Sequence, residues 1–284
     1  MKVKLNHLYF TIISLIVLSN SIAAQSIEQA KAAYKNEDFE KAAALFEELL
    51  QKDAKNYTLL MGFADSKHKL EDFEEAINYY NLGEEVNTQD AALYFNRGAA
   101  KVFVDDFRGA IKDMERSLKL SPNDPKAFYY KGYSNSQLGR FKKAVEDYNQ
   151  AIKLKPDYSE AYYNRGAAKA ELNNYNAGME DFELALEKNP NLENGMLNIA
   201  LSKLGMKQYD EAVAELTKIV DKRGGNLDRA LFYRAEANYE LGNKDQSCAD
   251  WLRSSNLGHD QATSNYNDFC NKEMKKKKGI NIIF

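Results

Sequence analysis

The chain has 284 residues, a formal net charge of −3, 44% hydrophobic and 29% charged residues. That balance excludes disorder for the bulk of the chain and argues against a dedicated nucleic-acid binder, which needs a strongly basic face. Two Cys exclude a disulfide-dense scaffold, and four Pro and 15 Gly exclude collagen-like or linker-rich architectures. At the N-terminus, Lys2 and Lys4 precede an apolar run from Leu8 to Leu18, and Ser21, Ala23 and Ala24 are small residues before Gln25. This order predicts a secretory signal peptide over residues 1–24, the alternative being an uncleaved anchor. The apolar run is shorter than the ~20 residues needed to span a bilayer, so no transmembrane segment is expected in the mature chain. The remainder, from about Gln25, is expected outside the cytoplasm, in the periplasm or beyond, within a Gram-negative envelope.

Beyond Gln25 the sequence repeats. An aromatic residue recurs at Phe39, Phe73, Phe107, Phe141, Tyr175 and Tyr209, every step being 34 residues. A small residue follows three positions later (Ala42, Ala76, Ala110, Ala144, Gly178, Ala212) and a bulky apolar one four further on (Phe46, Tyr80, Met114, Tyr148, Phe182, Leu216). Another small residue precedes each aromatic by nine (Ala30, Ala64, Gly98, Gly132, Gly166, Ala200), and Pro122, Pro156 and Pro190 share one place near the repeat ends. The spacing predicts a pair of helices per period, with small residues where the two approach and a bulky one filling the space between them. Proline then ends the second helix. One hairpin cannot bury its apolar stripe alone, so neighbours must stack.

These residues resemble the tetratricopeptide repeat family, with YFNRGAAK (Tyr94 to Lys101) and YYNRGAAK (Tyr162 to Lys169) as its most typical stretches. The resemblance implies an all-α, right-handed superhelical solenoid of about seven helix-turn-helix repeats. They fall at 23–56, 57–90, 91–124, 125–158, 159–192, 193–226 and, after one extra residue, 228–261. A capping helix is expected over 262–274, and Ser26 to Gln29 reads as a capping box opening the first helix.

Function is less legible, because the family is a shape more than a job. The resemblance implies that the first helix of each pair lines a concave groove for a peptide or partner protein. The groove residues expected there are Tyr34, Phe95, Lys126, Tyr129, Tyr133, Tyr163, Phe232 and Tyr239; packing between repeats is the competing use of the same rings. A subgroup of the family clamps a peptide carboxylate with Lys and Asn. Asn96, Asn164 and Lys126 fit that pattern, but Met61, Asp65 and Tyr130 do not, so the clamp is not supported and Asn96 is expected to bond helix backbone or water. Arg97, Lys131, Arg165 and Arg234 recur at one position, read as salt bridges between adjacent repeats.

No phosphate loop, HExxH or GxSxG motif occurs, so no enzyme activity, cofactor or metal is expected. Cys248 and Cys270 are read as a candidate disulfide pinning the cap, with two inert thiols or a site shared with His259 as alternatives. The tail over 275–284 carries Lys275 to Lys278, which could touch an anionic envelope surface, followed by the strand-like INIIF. The expectation is a non-catalytic, exported interaction scaffold. A structural component of an envelope assembly or secretion complex, docking through cap and tail, is the alternative; a thiol-dependent enzyme is the remote one.

Overall fold

The computed structural model describes residues 25–192, 194–222 and 226–271. The signal peptide expected over 1–24 and the Lys275–Lys278 tail lie outside the described residues. Among the described residues there is no strand, and none of the helices is long and apolar enough to cross a membrane.

The chain divides into two compact units, Met1–Leu138 and Gly139–Phe284. In the first, α1 covers 25–35. It is followed by α2 (Phe39–Leu50), α3 (Tyr57–Lys69), α4 (Phe73–Val86), α5 (Ala91–Phe103), α6 (Phe107–Leu120) and α7 (Pro125–Gln137). The second holds α8 (Phe141–Leu154), α9 (Ser159–Glu171), α10 (Tyr175–Lys188), α11 (Gly195–Gly205), α12 (Tyr209–Lys222), α13 (Leu227–Glu240), α14 (Lys244–Asn256) and α15 (Asp260–Asn265). Within each unit successive helices pack on one another as hairpins. Residue 25 is already helical, so Ser26 lies inside α1 and is not the N-cap that the Ser26 to Gln29 box suggested.

Every position singled out by the period does the steric work assigned to it. Ala30, Ala42, Ala64, Ala76, Ala110, Ala144, Ala200 and Ala212 have no exposed surface, and Phe46, Tyr80, Met114, Tyr148, Phe182 and Leu216 are equally enclosed. The recurring aromatic turns out to be the first residue of each second helix, α2 through α12. Among the described helices, aspartate is the commonest cap side chain to accept a backbone N–H: Asp38, Asp106 and Asp124 each accept from an N–H one turn in. Pro122, Pro156 and Pro190 sit two residues past the ends of α6, α8 and α10. Helices α4 and α12 stop at the corresponding place without proline, so it reinforces an end set by the hairpin geometry.

Two features of the hairpins carry measurable consequences. The turn inside each one places a residue in the left-handed region, and these too recur every 34 positions: Glu37, Glu71, Asp105, Gly139, Asn173 and Lys207, with φ between 58° and 69°. Gly139, Asn173 and Asp105 are residue types that visit this conformation, whereas Glu37, Glu71 and Lys207 are not. Glu71→Gly and Lys207→Gly are therefore expected to stabilise the protein by about 0.5–1 kcal/mol each, read from the midpoint of urea unfolding.

The tightest approach is between α9 and α10. A Cβ on Gly178 would lie 2.8 Å from the Gly166 carbonyl oxygen, and one on Gly166 would lie 2.8 Å from the Gly178 oxygen. Backbone cannot yield there, so Gly178→Ala should cost ~1–3 kcal/mol, more than the ~1 kcal/mol that alanine gains in helix propensity. At Gly98 the closest atom is the terminal methyl of Met114, a flexible group, with Asp113 Cβ next at 3.0 Å, so Gly98→Ala should cost less than Gly178→Ala in the same unfolding assay.

Candidate functional site

In the first unit the first helices of three successive pairs, α1, α3 and α5, share one face and enclose a cavity of about 360 Å³. Helix α3 contributes Tyr57, Met61 and Asp65, spaced four apart and so lying along one stripe. Helix α1 brings Lys31 and Tyr34, and α5 brings Asn96 with Asp90 at its cap. The floor is the ring of Phe46 from α2. It reaches this position because Gly62 has no side chain; a Cβ there would fall inside contact distance of the ring.

Asp65 is the polar centre. Its Oδ1 accepts from the Tyr80 hydroxyl at 2.6 Å and from Asn96 Nδ2 at 2.9 Å. Burial raises its pKa, and the negative Asp90 adds to this, against the lowering by those two hydrogen bonds and by Lys69. The same burial raises Tyr80, with the Asp65 charge adding to it. Asp90 is satisfied on both oxygens, by the Ala92 N–H and by the Tyr57 hydroxyl at 2.7 Å. Lys31 sits at the rim, its ammonium held by Glu28 at 2.9 Å. Asn96 thus bonds a carboxylate on the preceding first helix, not the backbone or water expected from sequence.

Of the residues expected in a groove, Tyr34 alone lines this cavity. Phe95 packs edge-on to Tyr130, Tyr129 packs against Tyr130, and Tyr133 meets Phe107. Lys126 is exposed at the start of α7, where Asp124 caps its N–H. In the second unit Tyr163 packs on Phe182 and accepts a hydrogen bond from Asn198 on α11. Phe232 stacks on His259, and Tyr239 packs on Trp251 and Phe269 within the C-terminal cap. A second cavity of about 360 Å³ lies among α9, α10 and α11, with Ala167, Phe182, Asn198 and Leu201 in its walls.

The recurring cations form a lattice. Arg97, Arg165 and Arg234 each grip, with two nitrogens, the carboxylate sixteen residues on: Asp113, Asp181 and Asp250. A further guanidinium nitrogen reaches back to the preceding second helix, to Asn81, Asn149 and Thr217. The backward step is sixteen residues for the first two and seventeen for Arg234, which absorbs the extra residue between α12 and α13. The expectation of salt bridges between adjacent repeats holds for Arg97, which pairs with Glu84, and for Lys131, 3.9 Å from Glu115. For Arg165 and Arg234 it is corrected: their charge partner is inside the arginine's own hairpin, where the helices cross, and the reach to the neighbour ends on a neutral group. At the matching place in the second repeat, the rings of Phe63 and Tyr79 pack at a tilt, their centroids 4.3 Å apart, and replace ions by rings.

At the C-terminal end Cys248 on α14 is bonded to Cys270, their Cα atoms 5.7 Å apart. Cys270 lies not on an α-helix running through 262–274 but on a π-helical turn, Tyr266–Asn271, that follows the short α15. That wider turn changes the facing of the residues after Asn265. His259 is occupied as the cap of α15, its Nδ1 accepting from the Ala262 N–H. Among the described residues no group of three or more His, Cys, Asp or Glu could hold a metal ion.

Sequence profiles described as tetratricopeptide repeat or TPR repeat match residues 33–96, 95–149, 135–173, 159–192 and 197–255. Together they span well over half of the chain, over the same hairpins that the structure contains. The chain belongs to the tetratricopeptide repeat family. No curated protein sequence matches it significantly. Among solved structures, a TPR protein from Parabacteroides merdae ATCC 43184 aligns with a TM-score of 0.62 at 16% identity, over 86% of this chain and 97% of its own. The TPR protein YrrB, whose structure is described as having an unusual peptide-binding site, aligns at 0.56 with 20% identity, over 60% of this chain and 88% of its own. MamA aligns at 0.54 with 24% identity, over 56% and 93%. At such identities the likeness is one of fold.

As a TPR protein the chain is of a family that is typically non-catalytic and serves protein–protein interaction. Both units keep a cavity of about 360 Å³ among their TPR helices, and the one on the α1–α3–α5 face has a partly buried carboxylate, Asp65, in its wall. In the sequence Asp65 and Lys31 are legible as charges beside the groove rings, while Met61 and Asn96 stand out only at positions of the carboxylate-clamp pattern. The 31-residue step from Asp65 to Asn96, one helix pair apart, was the available signal that the two side chains face each other.

Proposed function

We propose that the chain is an exported, non-catalytic scaffold that binds a peptide or an extended segment of a partner protein on the first-helix face of its N-terminal unit. The observation carrying this reading is the cavity among α1, α3 and α5, with aromatic walls and an ordered polar centre. A cavity of this size lies at the small end of ligand pockets and suits one or two side chains of a chain laid across the face. Tyr34, Phe95, Lys126, Tyr129 and Tyr133 extend the proposed surface along the same unit. Export is supported by the N-terminal pattern over 1–24 and by a disulfide of the kind that persists in oxidising compartments.

The test is site-specific photo-crosslinking in intact cells, from Met61 in the cavity and from the exposed Lys112 on α6 as the control. A partner attached from Met61 and absent from Lys112 supports the proposal; equal labelling from both defeats it. Export is checked separately, by the mass of the mature N-terminus and by fractionation. A full-length chain retained in the cytoplasm removes that part of the reading.

A second reading, docking of the C-terminal end into a larger assembly, is favoured by one observation. Phe269 lies on the π-helical turn with 46% of its surface exposed, beside Trp251 and Tyr239. Loss of partner capture on Phe269→Ser, with Met61 crosslinking absent, would move the function to that end.

A further inference from the structure

We propose that the α1–α3–α5 cavity is a receptor for a primary ammonium group, specifically the side chain of a lysine in the bound segment. The assignment deepens the peptide-binding reading above and rests on it only for the source of the lysine.

The argument starts from what Asp65 lacks. Its Oδ1 is occupied by Tyr80 and Asn96, while Oδ2 has no hydrogen-bond partner among the described residues and the side chain faces the cavity. No cation donates a hydrogen bond to it: Lys31 at the rim is paired to Glu28, and Lys69 acts on Asp65 only through its charge. A carboxylate that is partly desolvated, held in place by two donors and left without a cation in contact is costly to the fold and complementary to a positive ligand. The fold could avoid that cost. Asparagine at this position would keep an Oδ1 for both Tyr80 and Asn96 and carry no charge.

The surroundings select among cations. With one oxygen already doubly used, Asp65 offers a single open acceptor, which suits the point charge of an ammonium better than the two-pronged fork of a guanidinium. Tyr34 and Tyr57 line the cavity with aromatic rings, a residue type that stabilises a cation, and Phe46 and Met61 provide apolar surface for a four-carbon stem. Asp90, satisfied at both oxygens, adds negative potential without competing for the ligand's protons.

The experiment uses the full chain and three small probes: Nα-acetyl-lysine methylamide and its norleucine and arginine counterparts. Binding is followed by NMR at the Met61 methyl and the Tyr34 and Tyr57 rings. Lysine amide is expected to shift these signals and to bind tighter than norleucine amide by about tenfold or more, the usual weight of a charge-assisted hydrogen bond. Asp65→Asn should abolish that preference while its melting temperature stays equal or rises, because a charge disfavoured by burial has been removed. Norleucine binding as well as lysine, arginine binding better than lysine, or Asp65→Asn leaving lysine affinity intact would each overturn the assignment. If peptides crosslinked to Met61 have no lysine in common, the ammonium assignment fails and peptide binding stands. If lysine amide seats in the cavity but no peptide is captured, the reverse holds.

Discussion

Replacing Asp113 with alanine is expected to destabilise the first unit by about 3 kcal/mol, the low end of the cost of breaking a buried ion pair from one side. Arg97 and Asp113 are both almost fully enclosed, joined at 2.9 and 2.7 Å, and Lys101 donates to the same carboxylate at 2.8 Å. Removing the carboxylate leaves two cations facing a space that water cannot fill well. Arg97 keeps Asn81 and Glu84, which is why the low end applies. The opposite truncation, Arg97→Leu, should cost less, because Asp113 retains Lys101. The double variant Arg97→Leu/Asp113→Leu should recover most of the loss, since apolar replacement of a buried pair is often neutral. Urea unfolding of the four proteins checks the order. A double variant worse than Asp113→Ala would mean that the pair contributes net attraction and not only the avoidance of a lone charge.

Breaking the Cys248–Cys270 bridge is the second large effect. The bond closes a loop of 22 residues, for which the chain-entropy estimate is ~3 kcal/mol. Cys270→Ser, or reduction of the native protein, should lower stability by about that amount and raise hydrogen exchange over α15 and the π-helical turn, while α9 to α12 keep their protection. The reason the effect should concentrate there is the thinness of the cap: α15 has six residues, and its own hold on α13 and α14 rests on Ala262, the Asn265 bond to Glu236 and ring contacts of Phe269. If reduction left both unfolding and exchange unchanged, those contacts alone would suffice and the bridge would be ornamental.

The two predictions separate what could be read in the chain from what could not. The arginine positions were visible in the 34-residue period, and so was the fact that such charges end in ion pairs. Their partners were not, because a sixteen-residue step spans two helices and a turn, and only the crossing of those helices brings the ends together. The cysteine pair was legible as a short loop between neighbouring helices. The π-helical turn on which Cys270 sits was not, since no residue type announces it. The same contrast holds for the hairpin turns: Glu37, Glu71 and Lys207 give no sign that they adopt the left-handed conformation, which hairpin closure imposes on them.

The candidate site shows the limit most clearly. Ring residues on first helices were easy to name, yet Tyr163, Phe232 and Tyr239 are engaged within their own unit, and the open cavity is built around Asp65 instead. A side chain's periodic position says which helix face it occupies; whether that face is filled or left open depends on the sizes of residues on two other helices. Gly62 beneath Phe46 and the small Ala92 opposite decide it here. By itself, then, the sequence determined the helical hairpin, its period and its sterically essential positions, because each repeat reuses the same small and bulky residues at the same contacts. Tertiary structure alone decided which charges meet, which rings are consumed and where a pocket remains, because those outcomes depend on residues that are distant in the chain and become neighbours only when successive hairpins pack.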